Sequence, residues 1–328
     1  MNAVDPVVQH VDLNADGDLV VDNAPVPHED LADQLAGLLR PPPTTTDIFV
    51  FVHGWRTSGS RGSAAARQVF QLISDRYADV ASQYPQLRDF QPYFVAVRWP
   101  SVSSPLPTGY RRIRARAHAM TTEGHAAYVL AHLLGYLDSQ RISPTRGPGR
   151  LRTATGQYLH CIGHSFGARF LGEAIMAAAL DSGPPLLGWP WRGTHQFGVD
   201  TFVGLQMAAP PAVFADRFAP LLNDSPLHGP VVLTFSHADR ANRLWHYLAE
   251  GALGIGGVGA REPAAAIHTL QLHRLDLPYV VSDVPTKILN IDATWRFQRG
   301  AWRPEGAHSD YLYPESAHLI LSMIELGR

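Results

Sequence analysis

The chain has 328 residues, a formal net charge of −2 at neutral pH and 45% hydrophobic residues. That balance builds one large or two ordinary globular domains around a substantial core and excludes a disordered chain. Near-neutral charge also argues against a nucleic-acid partner, and an arginine-rich stretch such as Arg111 to Arg116, which alternates with apolar residues, reads as a solvated face.

Residues 1–46 read as an N-terminal extension made of a hairpin and a short helix. Asp12, Asn14, Asp16 and Gly17 fall at the positions of a calcium loop, but the closing position holds Asn23 where a bidentate glutamate is needed. Two short strands joined by the Asn14-Ala15-Asp16-Gly17 turn are expected instead. Leu31, Leu35, Leu38 and Leu39 then mark one face of a helix that Pro41-Pro42-Pro43 stops. The first residues lack the basic start and apolar core of a secretory signal, and no uncharged apolar run is long enough to cross a bilayer. A soluble, cytoplasmic protein without stable membrane insertion is the expectation.

From residue 47 to residue 328 strands and helices alternate. Strands are expected at Ile48–Val52, Tyr93–Val97, Gln157–Ile162, Thr201–Met207, Val231–Phe235 and Lys287–Ile291. Helices are expected at about 63–84, in one long run ending near Leu137, at Ala168–Leu180 and from Pro314 onward. Continuous apolar strands separated by helices imply a single α/β domain whose mostly parallel sheet is covered on both faces. The glycine run from Gly251 to Gly259 has no Lys-Ser/Thr ending and reads as a flexible connection, not a phosphate loop. Residues 182–199 interrupt the rhythm with Trp189 and Trp191 on a Pro/Gly-rich insertion, either a lid over a pocket or a surface loop pinned by its aromatics. Cys161, the single cysteine, reads as a small buried apolar residue.

The chemistry centres on Gly163-His164-Ser165-Phe166-Gly167, which joins a buried strand to a helix. On such a turn a serine hydroxyl stands above the sheet, and a histidine base held by a carboxylate makes it a nucleophile. The order serine, acid, histidine along later strand ends points to Asp239, four residues after Phe235, and to His308, between the last strand and the last helix. Asp216 and Asp283 compete for the acid role, and Asp239 also suits a helix cap. His164, His237 and His318 read as packing or tuning residues. Oxyanion donors are expected from the Phe166 amide, at a helix N-terminus, and from the Trp55 amide, beside Gly54 after the strand Ile48–Val52.

Together, Phe51-Val52-His53-Gly54-Trp55, Arg98-Trp99-Pro100-Ser101, the elbow, Ser236-His237-Ala238-Asp239-Arg240 and Gly306-Ala307-His308-Ser309-Asp310 resemble the α/β-hydrolase superfamily. Within it they are similar to a bacterial esterase/lipase-like group labelled as a domain of unknown function. The resemblance implies Ser165 as nucleophile, Asp239 as acid and His308 as base, with no cofactor. The expected activity is serine carboxyl-ester hydrolysis of a small molecule with an apolar portion, bound around Gly54, His164, Trp99, Trp189 and Trp191, with no metal in the site. Amidase, thioesterase and acyltransferase chemistry use the same triad and stay open, as do a non-catalytic binding protein of the same fold and any oligomeric state.

Overall fold

The computed structural model describes residues 5–54, 59–102, 107–141, 156–180, 195, 197–223, 225–300 and 302–328. Trp55, Trp189 and Trp191 lie outside these residues, as does most of the 182–199 insertion.

Three strands open the chain, β1 (Val8–Leu13), β2 (Leu19–Val21) and β3 (Ala24–Pro25), followed by α1 (Leu31–Leu38). Then come β4 (Asp47–Val52), α2 (Gly59–Val80), β5 (Pro92–Arg98), α3 (Pro107–Thr122), α4 (Ala126–Ser139), β6 (Tyr158–His164), α5 (Phe166–Leu180), β7 (Thr201–Leu205) and β8 (Val231–Phe235). The last elements are α6 (His246–Glu250), α7 (Ile255–Val258), β9 (Ile267–Gln271), β10 (Ile288–Asp292) and α8 (Pro314–Leu326). The ten strands among the described residues form one sheet in the order β3-β2-β1-β5-β4-β6-β7-β8-β10-β9. Its pairings from β1 to β9 are parallel; only the β1–β2 and β2–β3 pairs are antiparallel.

The two faces follow from the period of two along each strand. In β4, Ile48, Val50 and Val52 enter the core beneath α1, α3, α4 and α5, whereas Phe49 and Phe51 enter the core beneath α2 and α8. Every residue of β4 is buried, as a strand covered on both faces requires. With the serine turn after β6, the acid turn after β8 and the histidine loop after β10, the architecture is an α/β-hydrolase fold.

The N-terminal hairpin is continuous with this sheet, because β1 runs parallel to β5 from Val8 opposite Phe94 to Asp12 opposite Arg98. The single long helix expected up to Leu137 is broken into α3 and α4 at Glu123-Gly124-His125, where Asp16 of the hairpin turn docks. The His125 amide donates to the Asp16 carbonyl at 2.8 Å. The arginine stretch lies on α3, with Arg111 and Arg112 exposed and Ile113 buried, while Arg116 turns back to donate to the Pro100 carbonyl at 2.6 Å. The edge strand β9 went unforeseen, since its burial pattern leaves it without an apolar run. Among the described residues no helix is long and apolar enough to cross a membrane.

Candidate active site

Leu159 and Cys161 of β6 enter one core and Ile162 the other, which fixes the strand up to His164. Ser165 then takes a left-handed φ of 55°, a conformation that costs a non-glycine residue about 1–2 kcal/mol. The turn closes because its glycines carry no side chain: a Cβ on Gly163 would fall 2.3 Å from Ala168 Cα, and one on Gly167 2.1 Å from the Val52 carbonyl oxygen. The Ser165 amide donates to the Leu205 carbonyl at 2.9 Å, and Phe166 begins α5.

His308 and Asp239 converge on this turn. His308 Nε2 lies 2.8 Å from Ser165 Oγ, and His308 Nδ1 lies 2.9 Å from Asp239 Oδ2. The two loops that carry them are joined by the Ala307 amide, which donates to the Ala238 carbonyl at 2.9 Å, and by a bridge between Asp239 and Gly306. Asp239 has no exposed surface, and Ser165 and His308 are buried with it. Of the rival acids, Asp216 is exposed, and Asp283 accepts the Val280 amide in a local turn at 2.8 Å.

Two residues that spacing did not single out hold the acid. Asp239 Oδ2 accepts from Gln206 Nε2 at 3.1 Å and from Asn242 Nδ2 at 2.7 Å, and Oδ1 accepts from the Asn242 amide at 2.9 Å. Asp239 is therefore both partner to His308 and cap to the helical turn that follows it. A carboxylate ringed by donors can only accept, so His308 Nδ1 carries the proton and Nε2 is left to take the serine's. Gln206 gives its other N–H to the Ala307 carbonyl at 2.9 Å, and it adopts a left-handed φ of 48° at the end of β7. Its backbone strain aims an otherwise misplaced amide at the acid.

The glycine run expected to be a flexible connection is instead packed around Asn242. A Cβ on Gly254 would fall 2.3 Å from Asn242 Oδ1, and one on Gly256 2.2 Å from Asn242 Nδ2. The run also bonds to the strand ends, Gly256 donating to the Met207 carbonyl and accepting from the Ser236 amide, both at 2.9 Å. These glycines admit the Asn242 side chain into a buried space that any larger residue would fill.

No protein-family model matches the chain, and no curated protein sequence does. Among solved structures it is similar to a dienelactone hydrolase from Anabaena variabilis, at 15% identity over 86% of this chain and 89% of that chain, with a TM-score of 0.31. The chemistry rests on the chain's own residues.

Of the remaining expected site residues, Gly54, Trp99 and His164 are among those described. Gly54 lies against the elbow, where a Cβ would come within 2.8 Å of Ser165 Cβ. Trp99 was expected beside the substrate, but it is 3% exposed. Its indole N–H donates to the His53 carbonyl at 2.7 Å, and its ring packs on Phe170. His164 was likewise expected at the substrate. It is buried, donates from Nε2 to the His308 carbonyl at 2.8 Å and packs against the rings of His308 and Tyr311. Both are struts that hold loops of the site. His318 accepts from Tyr84 and donates to the Leu277 carbonyl, away from the triad, and His237 reaches the Gly257 carbonyl. Cys161 is fully buried, and burial pushes its thiol pKa up.

Two of these histidines make stability pH-dependent. His53 donates from Nδ1 to the Gly54 carbonyl at 2.9 Å and accepts the Trp99 amide on Nε2 at 3.2 Å. Burial lowers its pKa from 6.5 to about 4. Burial, followed by the neighbouring His308, holds His164 well below its ordinary value. As pH falls from 6.5 towards about 4, the unfolded chain binds a proton at position 53 that the folded chain refuses. Stability is therefore complete above this window and lost through it, by about 3 kcal/mol for His53 alone. His164 adds in the same direction. Urea midpoints are expected to fall on acidification and to fall less steeply in His53→Gln; parallel profiles would remove His53 from this role.

Proposed function

We propose that the protein is a serine hydrolase that cleaves carboxylic esters through an acyl-enzyme intermediate, akin to the bacterial esterase/lipase-like group its motifs resemble. The observation that carries this reading is the unbroken chain from Ser165 Oγ through His308 to Asp239, at 2.8 and 2.9 Å. His308 takes the Ser165 proton as Oγ attacks the ester carbonyl, and Asp239 stabilises the imidazolium that forms. His308 then returns the proton to the leaving alcohol. Water, activated by His308 in the same way, releases the acid.

The oxyanion needs prepositioned donors. The Phe166 amide opens α5, where the helix dipole favours negative charge, and the Trp55 amide in the loop after β4 is its proposed companion. The substrate is a small molecule with an apolar acyl or aryl part, met by Trp189 and Trp191 of the 182–199 insertion, and the reaction needs no cofactor. The protein works in the cytoplasm, with neither nucleic acid nor membrane as partner.

A fluorophosphonate probe tests the reading, because it reacts with an activated serine and mimics the tetrahedral intermediate. Peptide mass spectrometry is expected to find one adduct, on Ser165, and a p-nitrophenyl ester series to show a chain-length optimum. An unlabelled Ser165 in protein that turns over none of these esters would sink the proposal.

A further inference from the structure

The hairpin turn that resembles a calcium loop uses its residues otherwise. Asp12 is paired with Arg98 through both carboxylate oxygens. Asn14 Oδ1 accepts the amides of Asp16 and Asp18, each at 2.9 Å, and Asn14 Nδ2 donates to Asp18 Oδ2 at 3.0 Å. What the turn presents outward is the other carboxylate oxygen of Asp18, and two histidines from distant segments meet it. His28 comes from the turn ahead of α1, with Nε2 3.6 Å from Asp18 Oδ1. His125 comes from the α3–α4 break, with Nδ1 2.5 Å from the same oxygen. The three ligand atoms lie within 4.8 Å of one another.

We propose that Asp18, His28 and His125 form a surface binding site for a divalent transition metal, with zinc as the cation their chemistry fits. Two imidazole nitrogens and one carboxylate oxygen suit zinc and its neighbours, whereas calcium and magnesium select oxygen ligands throughout. The geometry is close to what the metal needs. Ligand atoms about 2.0–2.1 Å from a tetrahedral zinc stand roughly 3.3 Å apart. The Asp18 and His28 atoms are already near that separation. His125, hydrogen-bonded to Asp18, withdraws by under about 1 Å, a small rotation for a side chain 47% exposed. Water completes the fourth position.

The scaffold beneath these side chains is built to hold them in register. A Cβ on Gly17 would fall 2.3 Å from the Ala126 nitrogen, and one on Gly124 2.2 Å from the Asp16 carbonyl oxygen. Turn and helix start are thus pressed together next to the ligands. Asn14 fixes the second oxygen of Asp18, the outer contact that orients a ligating carboxylate. The His28 and His125 rings meet edge to face at 4.4 Å, with Tyr128 packed against His28 at 4.8 Å. Metal at this point ties the hairpin, the approach to α1 and the α3–α4 junction into one unit.

The test uses untagged full-length protein stripped with EDTA, because a histidine tag would mask the site. Titration calorimetry with zinc chloride is expected to give one ion per chain, and zinc at a hundredfold excess over its Kd to raise the Tm by about 4 °C. His28→Ala, at a side chain 41% exposed, is expected to keep the metal-free Tm and lose the zinc-dependent rise. His125→Ala should lose it as well, and calcium chloride should leave the wild type unmoved. Absence of zinc uptake would overturn the proposal. So would uptake and a Tm rise unchanged in His28→Ala, which would send the metal to other histidines, or an equal rise with calcium.

Discussion

Ser165→Ala is expected to lower kcat for a p-nitrophenyl ester by about 10⁶, and His308→Ala by a similar factor, because in the proposed mechanism each removes the same act of nucleophile activation. The loss corresponds to about 8 kcal/mol of transition-state stabilisation. It is far more than the single 2.8 Å hydrogen bond between the two side chains contributes to the fold. The double variant is expected to be no slower than either single one, since a serine without its base and a base without its serine are equally idle. Ser165 is fully buried, and alanine fits its space, so near-ultraviolet circular dichroism should show an intact fold. Rate measurements on the three variants with one p-nitrophenyl ester decide the matter. Losses that multiply in the double variant, or a Ser165→Ala enzyme within a thousandfold of wild type, would mean that the hydroxyl is not the nucleophile.

Asp239→Asn is expected to lower kcat by about 10⁴ and to destabilise the fold as well. A carboxylate can accept from His308, Gln206 and Asn242 on one oxygen while its second oxygen accepts the Asn242 amide. An asparagine has a single accepting oxygen. If that oxygen faces His308, the new NH₂ meets the Asn242 amide; if the NH₂ faces His308, it drives the proton to Nε2, where it confronts Ser165. Gln206 and Asn242 have no exposed surface, so donors deprived of the carboxylate find no water. Each such donor costs about 1–3 kcal/mol. Rate and urea midpoint should fall together. An Asp239→Asn enzyme keeping more than a tenth of wild-type kcat would assign the acid role to another residue.

The elbow was legible because its information is local: strand, glycine, serine, glycine and helix occupy consecutive positions. Asp239 and His308 followed from the rule that places polar site residues at strand ends. Gln206 and Asn242 were not legible, because their roles arise only when β7, β8 and the loop after β10 are brought side by side. The one available signal was a buried glutamine closing an apolar strand. The glycine run misled for a related reason, since close packing around a distant side chain leaves the same composition as flexibility. Trp99 and His164 show the converse. Residues next to the candidate site turns in sequence can spend their polar atoms on the loops themselves, as Trp99 and His164 do on the His53 and His308 carbonyls.

The pairing of β1 with β5 has a consequence for solubility. Residues 93–97 of β5 are buried and almost wholly apolar, the composition that templates intermolecular strand addition when it lies at an open edge. With β1 in place, that edge is displaced outward to β3, which is two residues long and contains Pro25, a strand too short and too poor in donors to recruit another chain. A chain shortened to begin after Pro25 would keep Ser165, Asp239 and His308 yet expose β5 along its length, and light scattering should reveal it assembling into sheet-rich aggregates. On that expectation the hairpin from Val8 to Pro25 serves to keep the sheet from growing into a neighbouring molecule.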